Sequence, residues 1–136
     1  MGTRFCATVE APIHEAFKRR MVANDERSTH LIFRSMGNSA RVAKNSVSDE
    51  VVRRERAGAA FDEIRDLVAG ARGREGLANG NVEHGIWWAS MAQGLIRDVP
   101  TVAALVEQMV AEAEVILTRR LPRLVVDAPD ERSEAA

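Results

Sequence analysis

The residues best suited to hold a ligand in this 136-residue chain stand at its N-terminus, in Met1-Gly2-Thr3. Glycine lets the backbone approach an anion closely, and the threonine hydroxyl adds a hydrogen-bond donor. The stretch Met1–Phe5 is typical of a strand end that runs into a phosphate-binding loop beside a helix start. It is not typical of the beginning of a domain, so we expect the chain to hold the C-terminal part of a larger enzyme. The alternative interpretation is an ordinary N-terminus without a ligand.

Residues of the kinds that catalyse reactions or bind metals are widely separated. The histidines are His14, His30 and His84, and none has a ligand-type partner at helical spacing. With the single cysteine Cys6, a zinc site of the usual spacing is not available. A paired-carboxylate mechanism stays open, although no pair stands out. We therefore assign no catalytic and no metal-binding residue, and interpret the histidines as surface or capping residues and Cys6 as a small buried one.

The composition narrows the class of protein. Apolar residues make up 46%, charged residues 29%, and the net charge is −1, which is typical of a globular domain. The near-neutral charge argues against nucleic acid as a partner. No apolar run approaches the roughly 18 residues of a membrane span, and the N-terminus lacks a signal-peptide pattern. A single cysteine is typical of a reducing compartment, so we expect a cytoplasmic protein without a membrane partner.

Apolar periodicity predicts a mainly helical chain with four or five helices and one short strand. Residues 1–10 alternate in polarity and are predicted to be extended. The apolar run around Leu31 predicts a strand or an extended connection over 28–34, and the basic stretch Arg34, Arg41 and Lys44 is interpreted as a solvated helix face. Helices are predicted over 12–24, 46–56, 60–71, 82–97 and 102–117.

The glycine-rich stretch over residues 70–80 is a candidate for a nucleotide-binding loop. It lacks the Gly-x-x-x-x-Gly-Lys-Ser/Thr pattern and follows a predicted helix rather than a strand. Four glycines close together favour turns and irregular backbone. We therefore predict a mobile loop here and no nucleotide site.

Three blocks of the sequence, read together, resemble the C-terminal part of the nitronate monooxygenase family, formerly called 2-nitropropane dioxygenases. The related flavin-type enoyl-acyl-carrier-protein reductases share the pattern. The resemblance extends over residues 1 to about 121. The blocks are Met1–Phe5 with Ala7–His14, Phe33–Val42 with Lys44-Asn45, and Gly85–Met91 with Gln93–Ile96 and Asp98–Pro100.

The resemblance implies the C-terminal segment of an α/β TIM-barrel flavoprotein that carries FMN, with a helical substrate domain packed over the barrel. It assigns residues 1–27 to the end of the barrel and 28–121 to the helical substrate or lid region. Residues 122–136 are expected to form a disordered tail. By the same resemblance, Met1, Gly2 and Thr3 bind the FMN phosphate, and the full enzyme oxidises a small alkyl nitronate with molecular oxygen.

This chain departs from the family pattern at two places. Many relatives have Ala-Gly-Gln where Ala89-Ser90-Met91 stands here, which removes a polar side chain near the flavin edge. None of the three histidines falls on the position of the family's proposed catalytic base. Trp87 and Trp88 are interpreted as helix-packing residues, with the lining of a substrate cavity as the alternative.

Three hypotheses about function follow. The first is a fragment of an FMN-dependent nitronate monooxygenase that is inactive alone. The second keeps the family and changes the reaction to flavin-dependent reduction of an enoyl thioester. The third is a non-catalytic helical module that pairs with a partner. In each case the apolar stripe at 102–117 should promote self-association when it is uncovered.

Overall fold

The computed structural model describes residues 1–124, which are mainly helical, as predicted, and include one small sheet. The chain divides into a unit Met1–Val102 and a second unit that begins at Ala103. The helices of the first unit are α1 (Gly2–Cys6), α2 (Glu15–Ala23), α3 (Ser46–Arg56), α4 (Phe61–Ile64) and α5 (Gly70–Asn79). Its strands are β1 (Thr29–Ile32) and β2 (Ala40–Ala43), and short 3₁₀ turns cover Arg34–Met36 and Met91–Leu95.

The sheet is an antiparallel hairpin of β1 and β2, with Thr29 opposite Ala43 and Ile32 opposite Ala40. The predicted strand over 28–34 is confirmed in its core. The second strand was not predicted, and the interpretation of the basic stretch as a helix face is wrong. Arg41 lies in β2, and its Nη1 donates to the Thr29 hydroxyl of β1 at 2.8 Å. This side-chain contact adds to the pairing of the two strands.

Helices α2 and α3 confirm two of the predicted helices. α2 begins after His14, whose side chain accepts from the Ala16 N–H, rather than at Pro12. α3 begins at a reciprocal cap: the Asn45 side chain accepts from the Ser48 N–H at 2.8 Å, and Ser48 accepts from the Asn45 N–H at 2.9 Å. These two caps satisfy backbone groups that would otherwise lack partners at a helix start.

Two expectations around the glycine-rich segment are wrong. The helix predicted over 60–71 is reduced to the short α4, and the predicted mobile loop over 70–80 is the regular helix α5. Gly73 lets α5 approach its neighbour, because a Cβ built there would stand 2.8 Å from the Ile86 carbonyl oxygen. The glycines here therefore serve close packing of a helix rather than flexibility.

The helix predicted over 82–97 is also absent. Instead the segment runs irregularly along β2, where the Ala43 N–H donates to the Trp87 carbonyl at 3.0 Å and Trp88 forms a bridge with Val42. It then turns through Met91–Leu95. These hydrogen bonds to β2 replace those that a helix would make within itself.

The extended structure predicted for residues 1–10 is contradicted at α1. Residues Gly2–Cys6 form a short helix, whose first turn is closed by hydrogen bonds from Arg4 and Phe5 N–H to the Met1 carbonyl. α1 packs against the turn Met91–Leu95, as does α2. The alternation of polarity in this stretch therefore does not produce a strand at Gly2–Cys6.

The first unit contains two apolar clusters. One lies around Phe17, Met21 and Trp87, and the other around Ile32 and Ile64. Phe17 and Trp87 meet edge to face, with ring centroids 5.2 Å apart, a geometry that aromatic pairs prefer. The two clusters anchor the N-terminal helices on one side of the hairpin and α3 and α4 on the other.

The described part of the second unit consists of the predicted C-terminal helix and the two helical turns that follow it. α6 (Val102–Val115) continues through a π-helical turn at Ile116–Arg120 and a 3₁₀ turn at Leu121–Arg123. Helical structure thus continues beyond the predicted end at residue 117, and Pro122 lies within the 3₁₀ turn. The expected disordered tail 122–136 lies outside the described residues from 125 onward. None of the helices between Met1 and Leu124 combines the length and apolar character that crossing a membrane requires.

Candidate functional site

The start of α1 presents backbone donors that no side chain caps. Met1 is the N-cap residue and makes no side-chain capping bond. Within residues 1–124, the N–H groups of Gly2 and Thr3 have no hydrogen-bond partner. A Cβ at Gly2 would meet nothing within 4 Å, so packing within the described chain does not explain the glycine. This combination of free donors and open space is suited to an anionic oxygen.

Thr3 joins the start of α1 to the third sequence block. Its Oγ1 accepts from the Ser90 N–H at 3.0 Å, across 87 positions of sequence. A hydroxyl that accepts one hydrogen bond can still donate its own hydrogen. The bond therefore fixes the position of the Thr3 oxygen and leaves its donor available beside Gly2.

Arg4 provides a second link between the same two blocks. Its Nη1 donates to the Asp98 carbonyl at 2.9 Å and its Nη2 to the Asp98 carboxylate at 2.6 Å. The segment from Ser90 to Asp98 is thus tied to α1 at both ends. Because α1 holds fewer than two helical turns and a helix this short is marginal on its own, these long-range bonds help to hold it in place.

An apolar cavity of about 350 Å³ opens beside α1. Cys6, Met21 and Leu77 line it together with Ile86 and both tryptophans. The interpretation of Cys6 as a fully buried residue needs correction, because its thiol is half-buried and borders this cavity.

The tryptophan pair serves both purposes that the sequence suggested. Trp87 is 4% exposed, and its indole N–H donates to the Val82 carbonyl at 3.2 Å, so it is a packing residue. Trp88 is 65% exposed and lines the cavity. Successive side chains of an extended segment point to opposite faces, so Trp87 is directed into the core and Trp88 toward the open side.

The histidines are engaged in local structure. His14 caps α2, His30 Nε2 lies 2.6 Å from the Asp49 carboxylate, and His84 Nε2 lies 3.0 Å from the Glu75 carboxylate. The capping interpretation is confirmed for His14. In the part of the chain that the structure describes, no three His, Cys, Asp or Glu side chains are grouped as metal ligands.

Sequence reasoning placed Gly2 and Thr3 at a candidate site but missed the residues that meet them. The structure brings Ser90 and Asp98 to α1, and Arg74 to the cavity. The order of the three blocks was the available signal for Ser90. Arg74 carried no signal, because it stood in a segment that was predicted to be a loop.

Two comparisons relate the chain to known proteins. A family model described as nitronate monooxygenase matches residues 1–112. The structure is similar to that of FabK from Thermotoga maritima, with a TM-score of 0.82 and 24% sequence identity over 92% of this chain. A mutant form of the same FabK matches with a TM-score of 0.71 and 23% identity. The matched region spans 39% and 35% of the length of these two chains.

Proposed function

The chain belongs to the nitronate monooxygenase family, and we propose that it supplies the FMN-phosphate loop and helical substrate region of an enzyme that oxidises alkyl nitronates with molecular oxygen. The family is one of flavin-dependent oxidoreductases. Residues 1–27 form the end of the FMN barrel, and 28–121 the helical region over it. The chain matches only 39% of the length of FabK, so the remaining strands of the barrel would come from a part of the enzyme outside this sequence.

The hydrogen bond between Thr3 and Ser90 is the observation that carries this proposal. It joins the first and the third of the sequence blocks that carry the family resemblance, across 87 positions of the chain. The contact therefore supports a shared role of the two blocks in forming one ligand site. Barrel enzymes frequently bind a phosphate where a loop after a late strand meets a short helix.

Met1, Gly2 and Thr3 would hold the FMN phosphate. The N–H groups of Gly2 and Thr3 would donate to its oxygens, and the Thr3 hydroxyl would add a third donor. Met1 is the N-cap residue, so its backbone borders the same position. Bound FMN would supply the electron-transfer chemistry, while these residues position its phosphate end.

The chain alone is proposed to be inactive in nitronate oxidation. His14, His30 and His84 each serve a cap or a carboxylate contact, and none stands at the start of α1. The catalytic base would come from the remainder of the barrel.

Flavin binding tests the phosphate site. FMN is titrated into the 136-residue chain and its fluorescence quenching measured. Thr3→Val removes a hydroxyl donor to a charged group, which is worth about 1.5–3 kcal/mol, so we expect roughly ten- to a hundredfold weaker binding. Gly2→Ala should weaken binding without lowering the melting temperature, because its Cβ meets nothing in the chain. The matched control is Thr118→Val, at an exposed threonine of the second unit.

The outcomes separate the hypotheses. If riboflavin, which lacks the phosphate, binds as tightly as FMN, the assignment of Gly2 and Thr3 is wrong. If no flavin binds and the chain unfolds as a sharply melting monomer, a non-catalytic helical module is favoured. Nicotinamide-dependent reduction of an enoyl thioester by an enzyme containing this chain would favour the second reaction over nitronate oxidation.

A further inference from the structure

The cavity beside α1 has the size of a small-ligand site and an almost wholly apolar wall. Its volume of about 350 Å³ lies in the range of ligand pockets, roughly 300–1,000 Å³. Ordered water needs two to four polar partners, which side chains such as Met21, Leu77 and Ile86 do not provide. The Trp87 indole N–H is already bonded to the Val82 carbonyl. The wall therefore favours an alkyl group over water or a polar ligand.

A single cation stands among the lining residues. Arg74 lines the cavity from α5 and is exposed, which places it at the mouth. Within residues 1–124, no carboxylate lies within ion-pairing distance of Arg74. Its neighbours differ: Arg72 donates to the His84 carbonyl at 3.1 Å, and Glu75 contacts the His84 ring. Arg74 is thus available to an anion.

We propose that this cavity binds an unbranched alkyl chain that ends in a carboxylate, with the chain against Met21 and Trp88 and the carboxylate at Arg74. The proposal does not depend on flavin, because Met1, Gly2 and Thr3 are not among the lining residues. It assigns a ligand class to a part of the chain that the FMN-phosphate assignment does not use.

The cavity carries its own spectroscopic and chemical probes. Both tryptophans of the chain and its one cysteine line the cavity. A ligand that enters it should change the fluorescence of Trp88 and slow the reaction of the Cys6 thiol with a maleimide. The chain has no tryptophan besides Trp87 and Trp88 and no second cysteine, so both signals come from residues that line the cavity.

The first experiment titrates the full 136-residue chain, without flavin, with butyrate, hexanoate, octanoate and decanoate while tryptophan emission is recorded. Each added CH₂ that becomes buried should tighten binding about fourfold, until the chain exceeds the cavity. Arg74→Gln should weaken octanoate binding about two- to fivefold and leave octanol binding unchanged. A role of Arg74 in folding alone would affect both ligands equally, which would overturn its assignment.

The second experiment fills the cavity. Gly70 lines it at the first residue of α5, and a Cβ there meets nothing within 4 Å. Gly70→Leu should reduce octanoate affinity at least tenfold and slow maleimide reaction at Cys6. Ala71→Leu is the matched control, since Ala71 is exposed on the same helix and does not line the cavity. Circular dichroism identifies any variant that fails to fold, and the chain-length series on the unmodified protein does not depend on either variant.

Two results would overturn the proposal. One is an affinity that does not rise between butyrate and octanoate. The other is a rate of maleimide reaction at Cys6 that falls as the protein concentration rises and does not change with octanoate. That result would show that a second copy of the chain covers the cavity. Loss of FMN binding with octanoate binding retained would remove the phosphate assignment and leave this one standing.

Discussion

Arg4 and Asp98 stand 94 positions apart and are joined by two hydrogen bonds, one to the carbonyl at 2.9 Å and one to the carboxylate at 2.6 Å. The guanidinium therefore contacts both the backbone and the side chain of the same residue. The Arg4 side chain is 18% exposed and that of Asp98 60% exposed, so the pair lies at the protein surface and is partly screened by solvent. The contact fixes α1 against the end of the irregular segment that follows Trp88.

Breaking this pair should loosen α1. Arg4→Met keeps the apolar stem and removes both donors, so we expect a loss of about 1 kcal/mol in the free energy of unfolding. Urea denaturation measures the change. Arg19→Met is the control, because the Arg19–Glu15 pair is exposed on both sides and 3.5 Å long. Equal effects of the two substitutions would show that the Asp98 contact contributes nothing beyond a surface ion pair.

Asn45 should be among the most sensitive polar positions. It is 4% exposed, caps α3, and its Nδ2 donates to the carbonyls of Val82 and Gly85, both at 2.8 Å. Asn45→Ala removes the cap and leaves the Gly85 carbonyl without this partner, while the Val82 carbonyl keeps the Trp87 indole N–H. We therefore expect a loss of about 2 kcal/mol in the free energy of unfolding.

Chemical denaturation of Asn45→Ala and Asn38→Ala compares a buried with an exposed asparagine. Asn38 lies in the hairpin turn and uses its backbone N–H toward the Phe33 carbonyl. Its substitution should change the free energy of unfolding by less than about 0.5 kcal/mol. A loss below about 1 kcal/mol for Asn45→Ala would mean that water replaces the amide at the Gly85 carbonyl.

Sequence patterns placed α2, α3 and α6 within a few residues: apolar stripes predicted α2 and α6, and the hydroxyl and acidic residues at its start predicted α3. The equally clear stripe over 60–71 gave only the short α4, so periodicity alone did not decide the outcome. The family was also predictable, because three blocks in a fixed order carry information that no single block has. The site residues Gly2 and Thr3 depended on that resemblance, and their role in phosphate binding stays a prediction.

The remaining elements depend on contacts between distant parts of the chain. The glycines of α5 serve packing and do not prevent a helix. At Gly73, the close approach to Ile86 requires a residue without a Cβ. The segment 82–97 has helical periodicity, but β2 offers it backbone partners at Ala43 and Val42. Propensity is a weak prior, and tertiary hydrogen bonds and packing override it in both places.

Glu50 should make the free energy of unfolding depend on pH in the acidic range. Hydrogen bonds from Arg53 and Arg54, both at 2.6 Å, lower the pKa of its carboxyl from the ordinary 4.5 to about 2. A depressed pKa stabilises the folded state above pH 4.5, and this contribution is lost as the pH falls from 4.5 toward 2.

Urea denaturation between pH 7 and pH 2.5 tests this linkage. Glu50→Gln should be less stable than the unmodified chain at pH 7, and the difference should shrink below pH 4.5. Glu107→Gln is the control, because Glu107 is exposed and forms no ion pair among residues 1–124. Parallel pH profiles for the unmodified chain and Glu50→Gln would contradict the assignment.

The second unit should make the chain self-associate. Val106, Val110, Leu117, Leu121 and Leu124 are 44%, 63%, 62%, 44% and 70% exposed and repeat at helical spacing. An apolar stripe of this length is covered in most stable proteins, so we expect sedimentation to show association that increases with concentration.

Leu117→Glu places a charge on the stripe and should shift the weight-average mass toward the monomer. Gln108→Glu adds the same charge on the opposite face of α6 and should leave association unchanged, since only a charge on the stripe opposes apolar contact. A monomer at all concentrations would show that the stripe does not pair with itself, and would require a different partner for α6.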